Sequence, residues 1–457
     1  MACSTRRIFC MVTVLLCGTS GPLYFYIFLQ YETYAYLEAI RQYGYIDTVS
    51  ESDLKMCGAT LKREVTVPVK NAKAFLVSAY LDERFSGAVR VIGIVYRYDR
   101  PRFYCHVCRD SSVLTWTAQL LIHSDHFGFP YGTADFLCQV PDGVGPVYAV
   151  SISTQREPDP TSPFLRIRNA QQSDMANPPL RHFSVCLSTL FGNYSNVLQF
   201  VQSMEMYRIL GAEKVFIYKT DCSPLLQRVL DFYSAEGFLE VIPWDIHRYL
   251  KVSSSWTPSK GAGDLHYHGQ IAALNDCIYR NMYDSTYVVL LDADEVIVPK
   301  LHSSWRDMMA FLSQRHLGVE SFAFDDYVFR QEVFGDGGTF DKWPDVPGVN
   351  ILRHVHREPL TRFGFNARKM VVNPRAVVWT SVHSTLWQRG ATFKVPSVVG
   401  RLHHCRAADN RQLGRRDLLR DTTLWKYSSP LIGNVSRVLH LALNRGRRRR
   451  QRKGRLL

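Results

Sequence analysis

The chain has 457 residues, 46% of them apolar and 21% charged, which leaves room for a large core and excludes a wholly disordered polymer. Its formal charge of +14 would suit a binder of polyanions, but seven Arg and one Lys fall between Arg445 and Arg455, leaving about +6 for everything else. A general nucleic-acid surface is therefore not implied, and residues 431–457 read as a solvated basic tail.

At the other end, Arg6 and Arg7 precede an uncharged run from Ile8 to Tyr31. About 20 apolar residues suffice to cross a bilayer. Small residues interrupt the run at 18–22, but it resumes through Tyr24, Phe25, Ile27, Phe28 and Leu29, too far for the apolar part of a signal peptide. Residues 1–7 are expected as a cytoplasmic tail, 8–31 as a single transmembrane helix and 32–58 as a short helical stem, with the body on the far side of the membrane. Cysteine usage agrees: Cys3, Cys10 and Cys17 lie at or in the anchor, and the other eight of the eleven are an even number suited to disulfides. The pair Cys105-His106-Val107-Cys108 has no second Cys/His pair at metal-ligand spacing, so disulfides fit it better than zinc. Asn193-Tyr194-Ser195 and Asn434-Val435-Ser436 are glycosylation sequons.

Residues 59–153 alternate short strands ("REVTVPV", "AFLVSAYLD", "AVRVIGIVYRY", "FYCHV", "VYAVSIS") with turns, which predicts a small β-rich domain. Residues 154–180 are rich in Pro, Asn, Asp and Ser and read as a linker. From 181 to 430 the rhythm becomes strand and helix in alternation. "HFSVCLSTL", "KVFIYKT" and "LEVIPWDI" are strands; "YSNVLQFVQSMEMYRILGA" is a helix closed by Gly211, and "SPLLQRVLDFYSAEG" one ended by Gly237. "HGQIAALNDCIYRNMY" is a further helix, feeding the strand "STYVVLLDADE". Strands joined by single helices need crossovers, so the class is α/β with a mainly parallel central sheet.

Ligands of such sheets bind beyond the carboxyl ends of the strands. There the apolar run Tyr287–Leu291 gives way to Asp292, Asp294 and Glu295. Two carboxylates one residue apart on a turn can present oxygens to one hard divalent cation, Mn²⁺ or Mg²⁺, which takes few carboxylates and completes its shell with water and phosphate. A bare acidic turn facing solvent is the plainer alternative.

Several segments in order, "VCLSTLFGNY", "FVQSMEMYRILGAEKVFIY", "YSAEGFLEVIPW", "HYHGQIAALNDCIYR", "LLDADEVIVP", "RKMVVNPRAVVWTSVHS" and "RLHHCR", resemble glycosyltransferase family 92, over about Phe183 to Arg406. "AFLVSAYLDER" resembles the family's region before that core. The resemblance implies a GT-A-like nucleotide-sugar-binding domain, UDP-galactose as donor, a glycan acceptor, and a Golgi, single-pass type II membrane enzyme with its catalytic part in the lumen. It implies that Asp292 and Asp294 bridge the cation to the donor diphosphate, that Glu295 supports them, and that His383 is the third metal ligand. One position departs: the family usually has an aromatic residue where "HHCR" has Cys405.

Arg368 and Lys369 are expected to meet the diphosphate or sugar, since an Arg fork suits phosphate oxygens. Gln270, near a helix start, is expected to reach the donor, while Asn275 and Asp276 tie that helix to the sheet and Cys277 pairs with Cys186 or Cys222. An inverting transfer needs a base across the sugar from the cation. Asp325 and Asp326, closing the apolar strand of "SFAFDDY", are the candidates. His403, His404 and Arg406 of "HHCR" either close over the donor or cap a strand. Two other readings compete: an inert lectin-like or scaffolding protein, and another metal-dependent phosphoryl enzyme, such as a nuclease. Retention of both Asp292 and Asp294 speaks against the first, and the lack of a second ligand cluster against the second.

Overall fold

A computed structural model describes Cys57 and residues 66–453, apart from gaps at 86, 110–111, 142–143, 160, 171–177, 336–339 and 361–364 and the side chains of 444–453. The expected cytoplasmic tail, membrane anchor and stem lie outside the described residues, Cys57 excepted. Among the described residues no helix is long and apolar enough to cross a membrane.

Eight antiparallel strands come first: β1 (Val67–Pro68), β2 (Ala74–Asp82), β3 (Ala88–Tyr96), β4 (Phe103–Arg109), β5 (Ser112–Ile122), β6 (Tyr131–Cys138), β7 (Ala149–Ser153) and β8 (Leu165–Arg166). Their spatial order is β1-β2-β3-β6-β5-β4-β7-β8. Val89, Val91 and Val95 of β3 face an inner cluster with Leu76, Phe103, Phe136 and Ile152, whereas Ile92 and Ile94 face the rest of the molecule. Both faces are covered, so β3 is apolar almost throughout instead of alternating with polar residues. Disulfides Cys57–Cys108 and Cys105–Cys138 staple this sheet, so the two cysteines of the CHVC stretch go to different partners. Strand β8 lies inside the expected linker and pairs with β7, which moves the start of any linker beyond Arg166.

The strand–helix alternation follows: β9 (Arg181–Leu190), α1 (Val197–Leu210), β10 (Lys214–Lys219), α2 (Pro224–Ala235), β11 (Leu239–Pro243), α3 (Gln270–Arg280) and β12 (Ser285–Leu291). Gly211 ends α1 in the left-handed conformation with φ of 109°, which a side chain would resist. Then come β13 (Glu295–Pro299), α4 (Trp305–Arg315), β14 (Val319–Phe324), β15 (Asp326–Arg330), β16 (His356–Arg357), β17 (Lys369–Val372), β18 (Val377–Thr380), β19 (Thr385–Gln388), β20 (Ala391–Lys394), β21 (Gly400–Arg406), β22 (Leu419–Arg420) and α5 (Ser428–Lys453). The central sheet has the order β11-β10-β9-β12-β17-β14-β20. Its first four strands are parallel, β17 runs against both neighbours, and β14 and β20 are parallel. A second sheet, β13-β21-β15-β16-β22, branches off beyond β12.

Helix α3 fills the space between the central sheet and the eight-stranded one, its Ile271, Leu274 and Ile278 sharing a cluster with Tyr80, Ile92, Val288 and Met370. Cys186 of β9 bonds Cys277 of α3, one of the two partners expected. Helices α1, α2 and α4 cover the opposite face. Helix α5 joins them, burying Leu431, Val435, Val438, Leu439 and Ala442. The domain boundary expected at 430 and the solvated tail expected from 431 are thereby corrected. Apolar residues at helical spacing carry the chain against the core at least to Ala442 before the arginines begin.

Candidate active site

From β9 the chain proceeds outward to β10 and β11, then returns to place β12 on the other side of β9. The crevice between β9 and β12 is thus the point at which strand order reverses, where open α/β sheets bind ligands. Ser188, near the end of β9, donates to Asp292 Oδ1 at 2.5 Å and so joins the two strands there.

The acidic turn is held from all sides. Glu295 N donates to Asp292 O (3.2 Å) while the Glu295 carboxylate accepts from Asp292 N (2.7 Å). Tyr207 of α1 donates to Glu295 O (2.7 Å), and Gln199 to Cys405 O (2.8 Å) and Asp294 O (3.3 Å). The Asp292 carboxylate takes Gln270 Nε2 on Oδ1 (3.0 Å) and Lys369 Nζ on Oδ2 (2.7 Å). Burial alone would raise its pKa, yet the Lys369 ammonium and the Ser188 hydroxyl bring it down to about 2. Lys369 also lies 3.3 Å from Glu295 Oε2. Burial pushes the Glu295 carboxyl up to about 8 despite that cation.

Sheet register explains the next partner. His404 of β21 pairs with Glu295 of β13 and with Val328 of β15, so one imidazole sits among three acids. Its nitrogens lie 3.4 Å from Asp294 Oδ2, 3.5 Å from Glu295 Oε1 and 3.2 Å from Asp326 Oδ2. Burial disfavours charge on the ring, but Asp294 and Glu295 outweigh it and hold the pKa well above the ordinary histidine value.

These groups open on a cleft of about 980 Å³, lined at one end by Leu187–Phe191, Ile217 and Tyr194 and elsewhere by Asp292–Glu295, Asp326, His383, His404 and Arg406. Of the expected residues, Asp292, Asp294, Glu295, Asp326 and His383 reach the cleft. Gln270 and Lys369 stand behind it and contact Asp292; the Lys369 side chain is buried against the acids and does not line the cleft. Arg368 and Asp325 pair with each other at 2.8 Å, with Lys394 on the second Asp325 oxygen at 3.0 Å, and neither lines the cleft. Asp326 is therefore the member of its pair that lines the cleft. Its Oδ1 is buried without a hydrogen-bond partner, and Asn366 clamps its backbone. Asp276 takes hydroxyls from Ser78, Tyr80 and Tyr218 and an ion pair from Arg280, tying α3 to the eight-stranded sheet.

His383 has Nδ1 at 3.1 Å from Arg368 O. A carbonyl only accepts, so Nδ1 carries the proton and the Nε2 lone pair is left available, as in histidines that bind metals. Burial, then Lys369, lowers its pKa to about 4, so the ring is neutral. The Asp292 and Asp294 side chains are each about one-third exposed (33% and 32%) toward the cleft. Hard carboxylate oxygens with a neutral imidazole nearby fit Mn²⁺ or Mg²⁺. Among the described residues, no three such side chains are already gathered at metal-binding distance, so oxygens of water or of a bound ligand would have to complete the shell.

Sequence reasoning passed over Ser188, Tyr194 and the His404 contacts. Ser188 and Tyr194 lie in a stretch leaving the carboxyl end of the first parallel strand, a position that could have marked them. His404 depends on sheet register, which the sequence does not display.

A model of the family described as Glycosyltransferase family 92 matches residues 181–435. A family 92 protein of Caenorhabditis elegans is 25% identical over 44% of this chain and 37% of its own length. The beta-1,4-galactosyltransferase galt-1 of the same organism is 26% identical over 55% of this chain and 59% of its own. The galactan beta-1,4-galactosyltransferase GALS2 of Arabidopsis thaliana is 24% identical over 37% of this chain and 31% of its own. The chain thus spans less than two-thirds of the length of each of these relatives.

Proposed function

Because the chain belongs to glycosyltransferase family 92, we propose that it moves galactose from UDP-galactose to a hydroxyl of a glycan acceptor, with inversion at the anomeric carbon, in the Golgi lumen. The observation that carries this reading is the clamped Asp292–Asp294 turn at the β9/β12 switch point, beside a cleft large enough for a nucleotide sugar. The galactosyltransferase names of two relatives support the donor sugar.

Under this reading the fold is GT-A-like, with the nucleoside over the ends of β9 and β10 and the diphosphate at the acidic turn. Asp292 and Asp294, with His383, would hold Mn²⁺ or Mg²⁺, which when bound neutralises the leaving diphosphate. Ser188, Gln270 and Lys369 keep Asp292 ionised and oriented. His404 orients Asp294 and Asp326 at once. The acceptor oxygen attacks the anomeric carbon as the bond from that carbon to the UDP oxygen breaks, and the Asp326 carboxylate takes the hydroxyl proton.

A panel of UDP-sugars tests this with the full-length protein in detergent and Mn²⁺, scored by released UDP. UDP-galactose is expected to give the highest rate. Equal rates for every donor would overturn the donor assignment, and absence of UDP release from all of them would overturn the transferase reading.

A further inference from the structure

The cleft has a wall that the transfer chemistry leaves unexplained. Phe191, beyond the end of β9, meets Tyr267 edge-on at 5.5 Å; Tyr267 stacks on Trp256 at 5.5 Å; Trp256 meets Phe127 at 5.4 Å. All four rings line the cleft and none is fully buried. The ladder leads from the nucleotide end of the cleft to a loop of the eight-stranded sheet, between β5 and β6. Phe127 and Asp125 belong to that loop, so the cleft is built from both sheets.

The wall is held against backbone preference. Phe127 has φ of 51° and is followed by Gly128 at 83°; Tyr267, His268 and Gly269 have φ of 33°, 54° and 75°. Non-glycine residues avoid this region unless their surroundings impose it, and such outliers concentrate where ligands are clamped. Here the surroundings are visible: Phe127 stacks on His266 at 4.1 Å, and Trp256 on His383 at 5.3 Å. Asp125 accepts from Ser381, two residues before His383. His123 stacks on Trp379 at 4.5 Å, whose indole donates to Asp135 at 2.7 Å. The loop and the His383 segment are locked to one another.

Resting on the transferase reading above, we infer that this ladder is the acceptor subsite, that it takes a neutral oligosaccharide, and that Phe127 and Asp125 are its specificity-determining residues. Apolar ring faces suit the apolar faces of pyranoses, and rings with few rotatable bonds lose little entropy on contact. Asp125 supplies an acceptor for sugar hydroxyls at the end of the ladder. One face of Phe191 is taken by His268 (3.7 Å) and one of Phe127 by His266 (4.1 Å), so the rings offer the cleft their remaining faces and edges. Acidic residues outnumber Lys260, His404 and Arg406 along the cleft, which disfavours acceptors bearing carboxylates or sulfates.

The test uses the full-length protein with UDP and Mn²⁺ on an array of neutral, sialylated and uronic-acid oligosaccharides, with UDP affinity measured in parallel. The wild type is expected to retain neutral glycans. Phe127→Leu, which keeps apolar bulk, and Asp125→Asn should each weaken that retention about tenfold, the worth of one good aromatic or charged contact. UDP affinity should stay unchanged, and Phe127→Tyr should restore retention. Weaker UDP binding in Phe127→Leu, unchanged glycan retention in both variants, or retention of anionic glycans alone would overturn the inference. A wild type that binds no UDP would sink the transferase reading itself.

Discussion

Asp294 and Lys369 stand on opposite sides of Asp292 and should fail differently. Asp294 is one-third exposed (32%) and among the described residues its carboxylate makes a single ion pair, to His404. Asp294→Asn is expected to lower UDP release by at least about 100-fold, the scale of losing one preorganised charge contact, without moving the unfolding temperature. Lys369 is 2% exposed and pairs with the buried Glu295 and with Asp292, which is one-third exposed. Lys369→Met strands both, and removal of one partner from a buried pair costs about 3–5 kcal/mol. The unfolding temperature should drop sharply, and adding Glu295→Gln should recover part of the loss, which differential scanning calorimetry would resolve. The acids were legible because three carboxylates against an apolar strand are conspicuous. The duty of Lys369 was not: its side chain emerges on β17, beside Met370, which pairs with Leu290, and only that antiparallel register aims it at Asp292.

The alternating elements from β9 to β12 could be read from periodicity, glycine stops and the serine before Pro224, because each is local. Ser223 caps α2 from Leu226 N. Strands β5 and β6, which the sequence reading passed over, depend on distant partners. Thr133 and Asp135 are buried in β6, so its pattern does not alternate, and Asp135 is tolerated because Arg90, Trp379 and His123 meet it. The basic run likewise concealed the helical repeat at its start. Deleting residues 444–457 should leave thermal stability intact, whereas deletion from 428 should leave an insoluble chain, since Leu431, Val435 and Val438 are 0% exposed. The Cys186–Cys277 bond joins β9 to the helix carrying Gln270. Cys277→Ser is expected to cost about 2–5 kcal/mol by chemical denaturation, the usual loss for a native disulfide.

At the scale of the molecule, buried charge holds the eight-stranded sheet together through Arg90–Asp135 and ties it to α3 and the central sheet through Asp276, which takes the hydroxyls of Ser78, Tyr80 and Tyr218. Burial works against ionised Asp135 and Asp276, but Arg90 and Arg280 respectively hold each carboxyl at about 2, below the ordinary 3.8. On acidification the unfolded chain therefore takes up these protons first. The stabilisation is complete above about pH 4 and is lost as pH falls through 2, at on the order of 2 kcal/mol for each group. Urea midpoints should decline steeply over that window, and Asp276→Asn should flatten the decline. The same tie means that residues 181–457 alone should not fold stably, because Asp276 would lose Ser78 and Tyr80. Lys369 has the opposite consequence for the cleft. The acidic turn comes with a resident counter-ion, so a chelator should silence turnover while calorimetry sees the same melting curve. Supply of divalent ions would then govern how fast the protein works and not how much of it survives.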